Sequence, residues 1–288
     1  MQRIKVHVIA GPTASGKSAH ALTLAEKIGG VIINADSLQL YNGLPTLTAQ
    51  PSAADKALVP HLLYGITPPD ITLTAMDWRK MALAALETVT EDGKVPIIVG
   101  GTGFYIKTLM EGLSPIPEIP NEVRILSEDL MDQLGIEAFF EQLKTLDPVL
   151  CEKIDPQNRR RLVRAYEVIA HTGKPMSYWQ SFPPVGAPDQ YDFQVQIISP
   201  DRDTLYDRCN TRFDIMVASG VVDEVRHFDD LIMAGKVPFD CALTHALGFQ
   251  PLQSHVRGEI DLDTAIILSK NETRHYAKRQ TTWFKNQM

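Results

Sequence analysis

Eight residues near the start of the chain have the types and the spacing of a phosphate-binding loop. The pattern G-x-x-x-x-G-K-[ST] is completed by Gly11, Pro12, Thr13, Ala14, Ser15, Gly16, Lys17 and Ser18. The glycines let backbone N–H groups turn toward an anion, the lysine adds a point charge, and the Ser18 hydroxyl can reach a metal ion bound to the phosphates. The loop predicts a site for a di- or triphosphate but not for a particular phosphate ester.

A carboxylate follows the next apolar run. Residues 30–35 are predicted to form a strand that delivers Asp36, with Ser37 and Gln39 beside it, to the edge where an open α/β sheet places its chemistry. Asp36 could bind Mg²⁺ or act as a general base. It could equally cap a turn, because aspartate often accepts a hydrogen bond from a nearby backbone N–H.

A third strand, predicted over residues 95–99, opens onto the Gly-rich segment 100–105, in which Thr102 offers a hydroxyl. Small residues there allow a ligand or another chain to approach the backbone closely. Residues 95–99 include no acidic side chain of the kind that holds Mg²⁺ in many phosphate-loop kinases. This weakens the interpretation as a kinase without excluding it, since Asp36 could substitute.

Two groups of arginines could bind phosphate. Residues 155–164 contain four arginines at the start of a predicted helix, as expected for contact with a nucleic-acid backbone. A solvated face paired with Glu152 and Glu167 explains the cluster equally well. The second group is Arg208 and Arg212, which share a helix face and could neutralise a departing anion or pair with neighbouring aspartates.

The elements that must position these residues alternate between strand and helix. We predict further strand at residues 3–9 and 192–199, and helices at 18–27, 76–91, 201–219 and 262–284, with residues 42–75 as an irregular loop. The predicted class is α/β, a P-loop NTPase-like parallel sheet core (residues 1–116 and 189–288) flanked by helices. Pro-rich links bracket an all-helical insert domain, residues 117–188, and residues 121–179 show no strand pattern.

Composition bounds the remaining possibilities. The chain has 288 residues, 44% of them hydrophobic, and lacks an apolar run of the roughly 18 residues that span a bilayer. The three cysteines, Cys151, Cys209 and Cys241, are widely spaced, which argues against a disulfide framework or a zinc site. We therefore expect a cytoplasmic protein without a membrane partner. The net charge of -7 does not exclude nucleic acid, because recognition depends on where the basic groups lie.

Five sequence blocks together resemble the tRNA dimethylallyltransferases, the isopentenyl-diphosphate:tRNA transferases. They are the phosphate loop and the segments 36–41, 100–105, 154–168 and 273–284, and the resemblance extends from residue 4 to residue 285. It implies a monomeric enzyme without an obligate protein partner, whose loop holds dimethylallyl diphosphate in place of a nucleotide. The acceptor would be the N6 amine of the adenosine just 3′ of the anticodon, flipped out of the anticodon stem-loop of a tRNA that reads codons beginning with U.

The resemblance also assigns roles to residues. Asp36, Thr102 and Arg212 would be catalytic, Asp36 as the general base for the amine. Thr13, Lys17, Ser18 and Arg212 would bind the diphosphate, with Mg²⁺ at Ser18. Ser37 and Gln39 would read the adenine, with Leu38 between them, and Thr102 would line the channel. The tRNA contacts of the insert would be Arg124, Gln157, Asn158, Arg159, Arg160 and Arg161.

Two other classes of function share part of this pattern. A phosphate-loop small-molecule kinase would contain the same first forty residues and would turn over ATP without RNA. A non-catalytic RNA-binding protein with a vestigial loop would bind tRNA but would require neither Lys17 nor Asp36. The combination of the five blocks favours the transferase over both.

Overall fold

The computed structural model describes residues 3–288, so residues 1 and 2 of the predicted core lie outside the described part. In chain order its strands are β1 (Ile4–Ala10), β2 (Gly30–Asn34), β3 (His61–Leu62), β4 (Val95–Gly100), β5 (Gly112–Leu113), β6 (Val185–Gly186) and β7 (Tyr191–Ile197). The first helices are α1 (Lys17–Ile28), α2 (Ala53–Leu58), α3 (Ala75–Glu91) and α4 (Gly103–Glu111).

The remaining helices follow in two groups. Those of residues 111–188 are α5 (Asn121–Leu134), α6 (Ile136–Leu146), α7 (Pro148–Cys151), α8 (Arg159–Thr172) and α9 (Met176–Gln180). Those after β7 are α10 (Arg202–Ala218), α11 (Val221–Met233), α12 (Phe249–Val256) and α13 (Leu262–Gln287), with a short 3₁₀ turn at Ala242–His245. None of the helices within residues 3–288 is both long and apolar enough to cross a membrane.

Five strands form one parallel sheet in the order β3-β2-β4-β1-β7. The central strands are buried on both faces, which explains why they read as nearly continuous apolar runs and not as alternating ones. On one face, Ile9, Ile32 and Ile97 pack with Ala21 and Ala25 of α1. On the other face the larger cluster includes Val8, Ile33, Ile98 and Trp78 of α3. The predicted parallel α/β core is therefore confirmed.

Because parallel strands end at the same edge, the segments after β1, β2 and β4 converge there. The phosphate loop follows β1, Asp36 follows β2, and the Gly-rich segment follows β4, which lies between β1 and β2 in the sheet. Strand order thus brings together segments that lie far apart in the sequence. This is the edge where ligands bind in open α/β sheets.

Local signals fix several helix ends. Thr74 caps α3 in a reciprocal capping box with Asp77. Gly29, in the left-handed region at φ 66°, ends α1 where the sequence predicted an end. Residues 42–75 contain more structure than we expected. Helix α2 begins with a second capping box at Ser52, and β3 adds an edge strand to the sheet.

The chain divides into two compact units, residues 1–110 with 189–288 and residues 111–188. The second unit has its own apolar core, in which Met131, Phe139, Leu143 and Leu162 are fully enclosed. Its first boundary lies six residues before the predicted one, because β5 pairs antiparallel with β6 at the point where the chain enters and leaves the unit. Of these two short strands, β6 lies within residues 117–188, which we predicted to be all-helical, and β5 lies just before that range.

Candidate functional site

The phosphate loop connects β1 directly to α1. Gly11 has φ 156°, and a Cβ there would lie 2.3 Å from the backbone oxygen of Ile198, so only glycine fits against the end of β7. Ala14 occupies the left-handed region at φ 61°, a conformation that strains a residue with a side chain. It packs against Leu205, Cys209 and Ala277, which hold the strained loop in place.

The polar groups of the loop are arranged for an anion. The Ser15 hydroxyl is buried and has no hydrogen-bond partner among the described residues, which is costly unless a ligand supplies one. The ammonium of Lys17 donates a 3.1 Å hydrogen bond to the carbonyl of Pro12. Burial lowers the pKa of Lys17 to about 8, while the carboxylate of Asp36 partly opposes this effect. The Ser18 hydroxyl is exposed at the start of α1.

Two arginines of α10 contact the loop, as their shared helix face suggested. Arg208 donates a 2.9 Å hydrogen bond to the carbonyl of Ser15, and Arg212 donates a 2.6 Å hydrogen bond to the hydroxyl of Thr13. Burial lowers the pKa of Arg212 from its ordinary value, although a guanidinium stays protonated. The two cations therefore point toward the loop, and neither pairs with a neighbouring aspartate.

Asp36 follows β2 in a tight turn. One carboxylate oxygen, Oδ1, accepts a hydrogen bond of 3.1 Å from the backbone N–H of Leu38, so the predicted turn is present. The buried side chain of Asn34 accepts from the N–H of Asp36 at 2.8 Å and donates to its carbonyl at 3.0 Å. Within residues 3–288, Oδ2 has no hydrogen-bond partner. Capping a turn with one oxygen leaves the other available for a ligand, so the two interpretations of Asp36 are compatible.

The negative charge of Asp36 affects the pKa values of several groups around the loop. It raises the pKa of Lys17, against the effect of burial, and acts in the same direction on Arg212. Burial, reinforced by Asp36, raises the pKa of Tyr276 to about 12. Burial, again reinforced by Asp36, raises the pKa of Tyr64 above its ordinary range. A carboxylate, two cations and two tyrosines thus interact electrostatically at the sheet edge.

Thr102 joins the Gly-rich segment to the residues around Asp36. Its hydroxyl accepts a 3.0 Å hydrogen bond from the backbone N–H of Ser37, and its own N–H donates to the carbonyl of Ala35 at 3.1 Å. Gly100 makes this approach possible, because a Cβ there would lie 2.0 Å from the same carbonyl. Three of the predicted site residues, Asp36, Ser37 and Thr102, therefore lie in one hydrogen-bonded group.

Gln39 and Ser18 line a cavity of about 290 Å³ beside α1. The amide of Gln39 donates to the carbonyls of Thr48 and Ala49, which fixes its orientation and leaves its oxygen directed elsewhere. The wall includes further polar side chains, those of Gln50, Asp55, His61 and Tyr64. Leu38 is partly buried against the larger core cluster. Tyr64 was not among the residues that we predicted for the site, because it lies in a segment that we expected to be irregular.

The remaining predicted residues lie in the second unit, residues 111–188. Arg159 forms an ion pair with Asp132 at 2.7 Å, and Arg124 and Arg164 both approach the buried carboxylate of Glu167. Asn158 caps α8 by accepting from the N–H of Arg161, and the N–H of Gln157 donates to the carboxylate of Asp155.

Arg160 and Arg161 are exposed, and neither forms an ion pair with any described residue. Arg124, Arg159 and Arg164 are thus engaged in ion pairs within the unit, whereas Arg160 and Arg161 have no ion-pair partner among the described residues.

Some basic side chains of the C-terminal helix α13 form contacts within the protein, and others are exposed. Lys270 pairs with Asp214 of α10 at 2.6 Å, and the guanidinium of Arg274 donates to Asn210 and Asn271. Lys278 and Arg279 are exposed, the latter over the ring of Tyr276 at 5.5 Å. Lys270 and Arg274 thus help to hold α13 against α10.

No group of three or more His, Cys, Asp or Glu side chains suited to a metal ion occurs among residues 3–288. The side chains that could contribute oxygen atoms near the loop are the exposed Ser18 hydroxyl and the free oxygen of Asp36. Oxygen ligands suit Mg²⁺, which commonly takes one or two protein ligands and completes its shell with phosphate oxygens and water. The donor set therefore fits a metal ion that arrives with a phosphorylated substrate.

Fold and site together define a phosphate-loop protein of the α/β class. Its loop is surrounded by Lys17, Arg208 and Arg212, and an available carboxylate stands at the same sheet edge. Such an arrangement can bind a phosphate or diphosphate ester and accept a proton beside it.

Comparisons with known proteins identify the family. A family model described as IPP transferase matches residues 39–287, and one described as isopentenyl transferase matches residues 4–62. The tRNA dimethylallyltransferase of Paramagnetospirillum magneticum is 46% identical over 281 residues, which cover 98% of this chain and 88% of that protein. That of Rhodospirillum centenum is 42% identical over 283 residues, covering 98% and 89%.

Solved structures with similar folds come from the same kind of enzyme. The tRNA delta(2)-isopentenylpyrophosphate transferase of Staphylococcus epidermidis is 35% identical, with a TM-score of 0.68 over 99% of this chain and 91% of that one. A eukaryotic dimethylallyltransferase, captured in crystals acting on tRNA, is 25% identical, with a TM-score of 0.82 over 98% and 70%. The chain belongs to the IPP transferase family, the tRNA dimethylallyltransferases, and is accordingly an enzyme of the transferase class whose co-substrate is dimethylallyl diphosphate.

Proposed function

We propose that the enzyme transfers a dimethylallyl group to the N6 amine of the adenosine 3′-adjacent to the anticodon, position 37, in tRNAs that read codons beginning with U. Family membership supports the donor and the tRNA acceptor in general. The choice of this adenosine and of these tRNAs is our inference from the resemblance, and so are the roles of individual residues, which the site geometry supports.

The phosphate loop would bind the diphosphate of the donor. The unpartnered Ser15 hydroxyl, the Lys17 ammonium and the Arg212 guanidinium offer hydrogen bonds and positive charge within one loop. An allylic carbon loses its diphosphate readily once the departing negative charge is stabilised. Fixed cations in a partly dry site supply that stabilisation without having to reorganise during the reaction.

Asp36 would accept the proton of the acceptor amine. The exocyclic amine of adenine is a poor nucleophile, because its lone pair is delocalised into the ring. A carboxylate that removes its proton as the new bond forms therefore lowers the barrier. The arrangement that supports this role is the turn of Asp36, in which Oδ1 is held by Leu38 and Oδ2 remains available.

In the complete step, a C–N bond forms between N6 and the allylic carbon, and the C–O bond to diphosphate breaks. The bonding electrons leave with the diphosphate, and the amine proton passes to Asp36. Thr102 would hold Ser37, and with it the turn of Asp36, in place during the step. Since a stacked and paired base cannot reach such a site, the acceptor would be an unpaired loop nucleotide that can be extruded.

Ser18, with oxygens of the bound diphosphate, would hold Mg²⁺. When bound, the ion would add positive charge to the leaving group. The exposed position of the Ser18 hydroxyl at the start of α1 supports this assignment.

The helical unit would contact the tRNA backbone. Arg160 and Arg161 support this role, because they are exposed and have no ion-pair partner among the described residues. Arg124 and Arg159, which we also proposed as tRNA contacts, are engaged in ion pairs and would have to exchange those partners for phosphate. We therefore place most of the expected binding energy on the unpaired arginines.

The observation that carries the proposal is a carboxylate with a free oxygen at the edge of a cationic phosphate loop. The test is transfer of radiolabel from dimethylallyl diphosphate to unmodified tRNA in the presence of Mg²⁺, beside an ATP-hydrolysis control. A matched tRNA with guanosine in place of the target adenosine serves as the control for position. Label confined to the adenosine-containing tRNA is the expected result. ATP turnover without labelled RNA would instead establish a kinase.

A further inference from the structure

We propose that Gln280 of α13 is a positioning residue that sets the spacing between the phosphate loop and the Gly-rich segment after β4. Gln280 lies in the block 273–284 that carries the resemblance, but the sequence assigned it no role. The proposal rests on the proposed function, because it assigns to Gln280 the alignment of the diphosphate with the acceptor side of that site.

The side chain of Gln280 bridges two loops that are not otherwise adjacent in sequence. Its Oε1 accepts a 2.8 Å hydrogen bond from the backbone N–H of Thr13, and its Nε2 donates a 2.8 Å hydrogen bond to the carbonyl of Gly101. Gln280 is almost fully buried, so water cannot replace either bond. Both loops are therefore held at a separation set by one amide group.

A glutamine is needed at this position for a chemical reason. The bridge requires an acceptor at one end and a donor at the other, and the amide supplies both on one planar group. Because Thr13 presents an N–H and Gly101 a carbonyl, the two partners also determine which way the amide is turned. An apolar side chain of the same length would leave two buried backbone groups without a partner.

The bridge continues to the residues around Asp36. Gly101 precedes Thr102, whose N–H donates to Ala35 and whose hydroxyl accepts from Ser37. Asp36 lies between these two residues in the chain. Gln280 thus connects the loop that would hold the leaving group to the turn that would hold the proton acceptor. A shift of about 1 Å between such groups is enough to cost roughly a hundredfold in rate.

The fit of Gly101 offers a second way to disturb the same contact. A Cβ at Gly101 would lie 2.5 Å from Nε2 of Gln280, which is too close unless the amide moves. Substituting either residue should therefore displace the same bridge. Two variants at different positions allow the proposal to be tested even if one of them fails to fold.

The experiment compares steady-state transfer by the wild type, Gln280→Met, Gly101→Ala and the double variant. We expect each single variant to lose about ten- to a hundredfold in kcat and to bind inorganic pyrophosphate more weakly, with the KM for tRNA within about twofold of wild type. The double variant should lose little more than the worse single variant, because both remove one interaction. The matched control is Gln253→Met, which removes a partly buried hydrogen bond to Asp229 elsewhere in the same unit.

The outcomes separate the two proposals. If the wild type transfers no prenyl group to tRNA, the proposed function fails, while weaker pyrophosphate binding in the variants still reports on the bridge. If the wild type is active and either folded single variant keeps kcat and pyrophosphate affinity within about twofold, the positioning role is wrong. A lower Tm with unchanged kcat, as we expect for Gln253→Met, would make Gln280 purely structural. If Gln280→Met does not fold, Gly101→Ala decides.

Discussion

The guanidinium of Arg212 donates a 2.6 Å hydrogen bond to the hydroxyl of Thr13, so a helix near the end of the chain closes a loop near its beginning. The contact places a buried positive charge beside the loop, where solvent screens it little. Arg208, one turn earlier on α10, holds the same loop through the carbonyl of Ser15. The conformation of the loop is therefore set by contacts from α10 as well as by the loop's own glycines.

Removing the charge of Arg212 should slow the chemical step. We expect Arg212→Met to lower kcat by about 10²–10³, as for other groups that stabilise charge in a transition state, and Arg212→Lys to lose less. Steady-state transfer assays measure this. The matched control is Arg226→Met, since Arg226 is exposed and, within residues 3–288, forms an ion pair only with Asp223. Equal kcat for Arg212→Met and the control would exclude Arg212 from the reaction.

The ionisation of Lys17 should appear in the pH dependence of donor binding. Because burial lowers its pKa to about 8, the ammonium is present below that pH and is lost above it. The affinity for inorganic pyrophosphate and kcat/KM for dimethylallyl diphosphate should therefore fall as pH rises through about 8. Lys17→Arg keeps its charge, so its profile should lack this decline. A decline that persists in Lys17→Arg would assign it to another group.

Asp36→Asn tests the general base with little disturbance of the turn. Asparagine keeps an oxygen to accept from Leu38 but cannot take a proton at neutral pH. We expect kcat to fall by roughly 10²–10⁴, with tRNA affinity within about threefold of wild type. Single-turnover transfer and filter binding provide the two measurements. A variant that reacts at nearly the wild-type rate would show that Asp36 is not the base.

Charge reversal at Arg160 and Arg161 should weaken tRNA binding and flatten its dependence on salt. Each lost phosphate contact should reduce the slope of log K against log salt by roughly 0.7–0.9. The control with equal change in net charge is Lys144→Glu with Lys174→Glu, since Lys144 already pairs with Glu141 and Lys174 lies over Tyr178. If both double variants have the wild-type slope, Arg160 and Arg161 belong to a solvated face.

Much of the framework could be predicted from the sequence because its signals are local. The loop motif, the caps at Thr74 and Gly29, and the apolar runs of the buried strands each depend on a few consecutive residues. The positions of Asp36 and Thr102 at strand ends followed from the same runs. The helix face shared by Arg208 and Arg212 required only helical periodicity.

The partners of those residues were decided by the tertiary structure. Strand order placed β4 between β1 and β2, and this brought Thr102 to Ser37. Whether an arginine is free or paired also depends on distant residues, as Arg159 with Asp132 shows, so charge counts alone could not separate it from Arg160. The role of Gln280 within the block 273–284 had no signal in the sequence, because one buried amide resembles any other polar residue on a helix until its two partners are known.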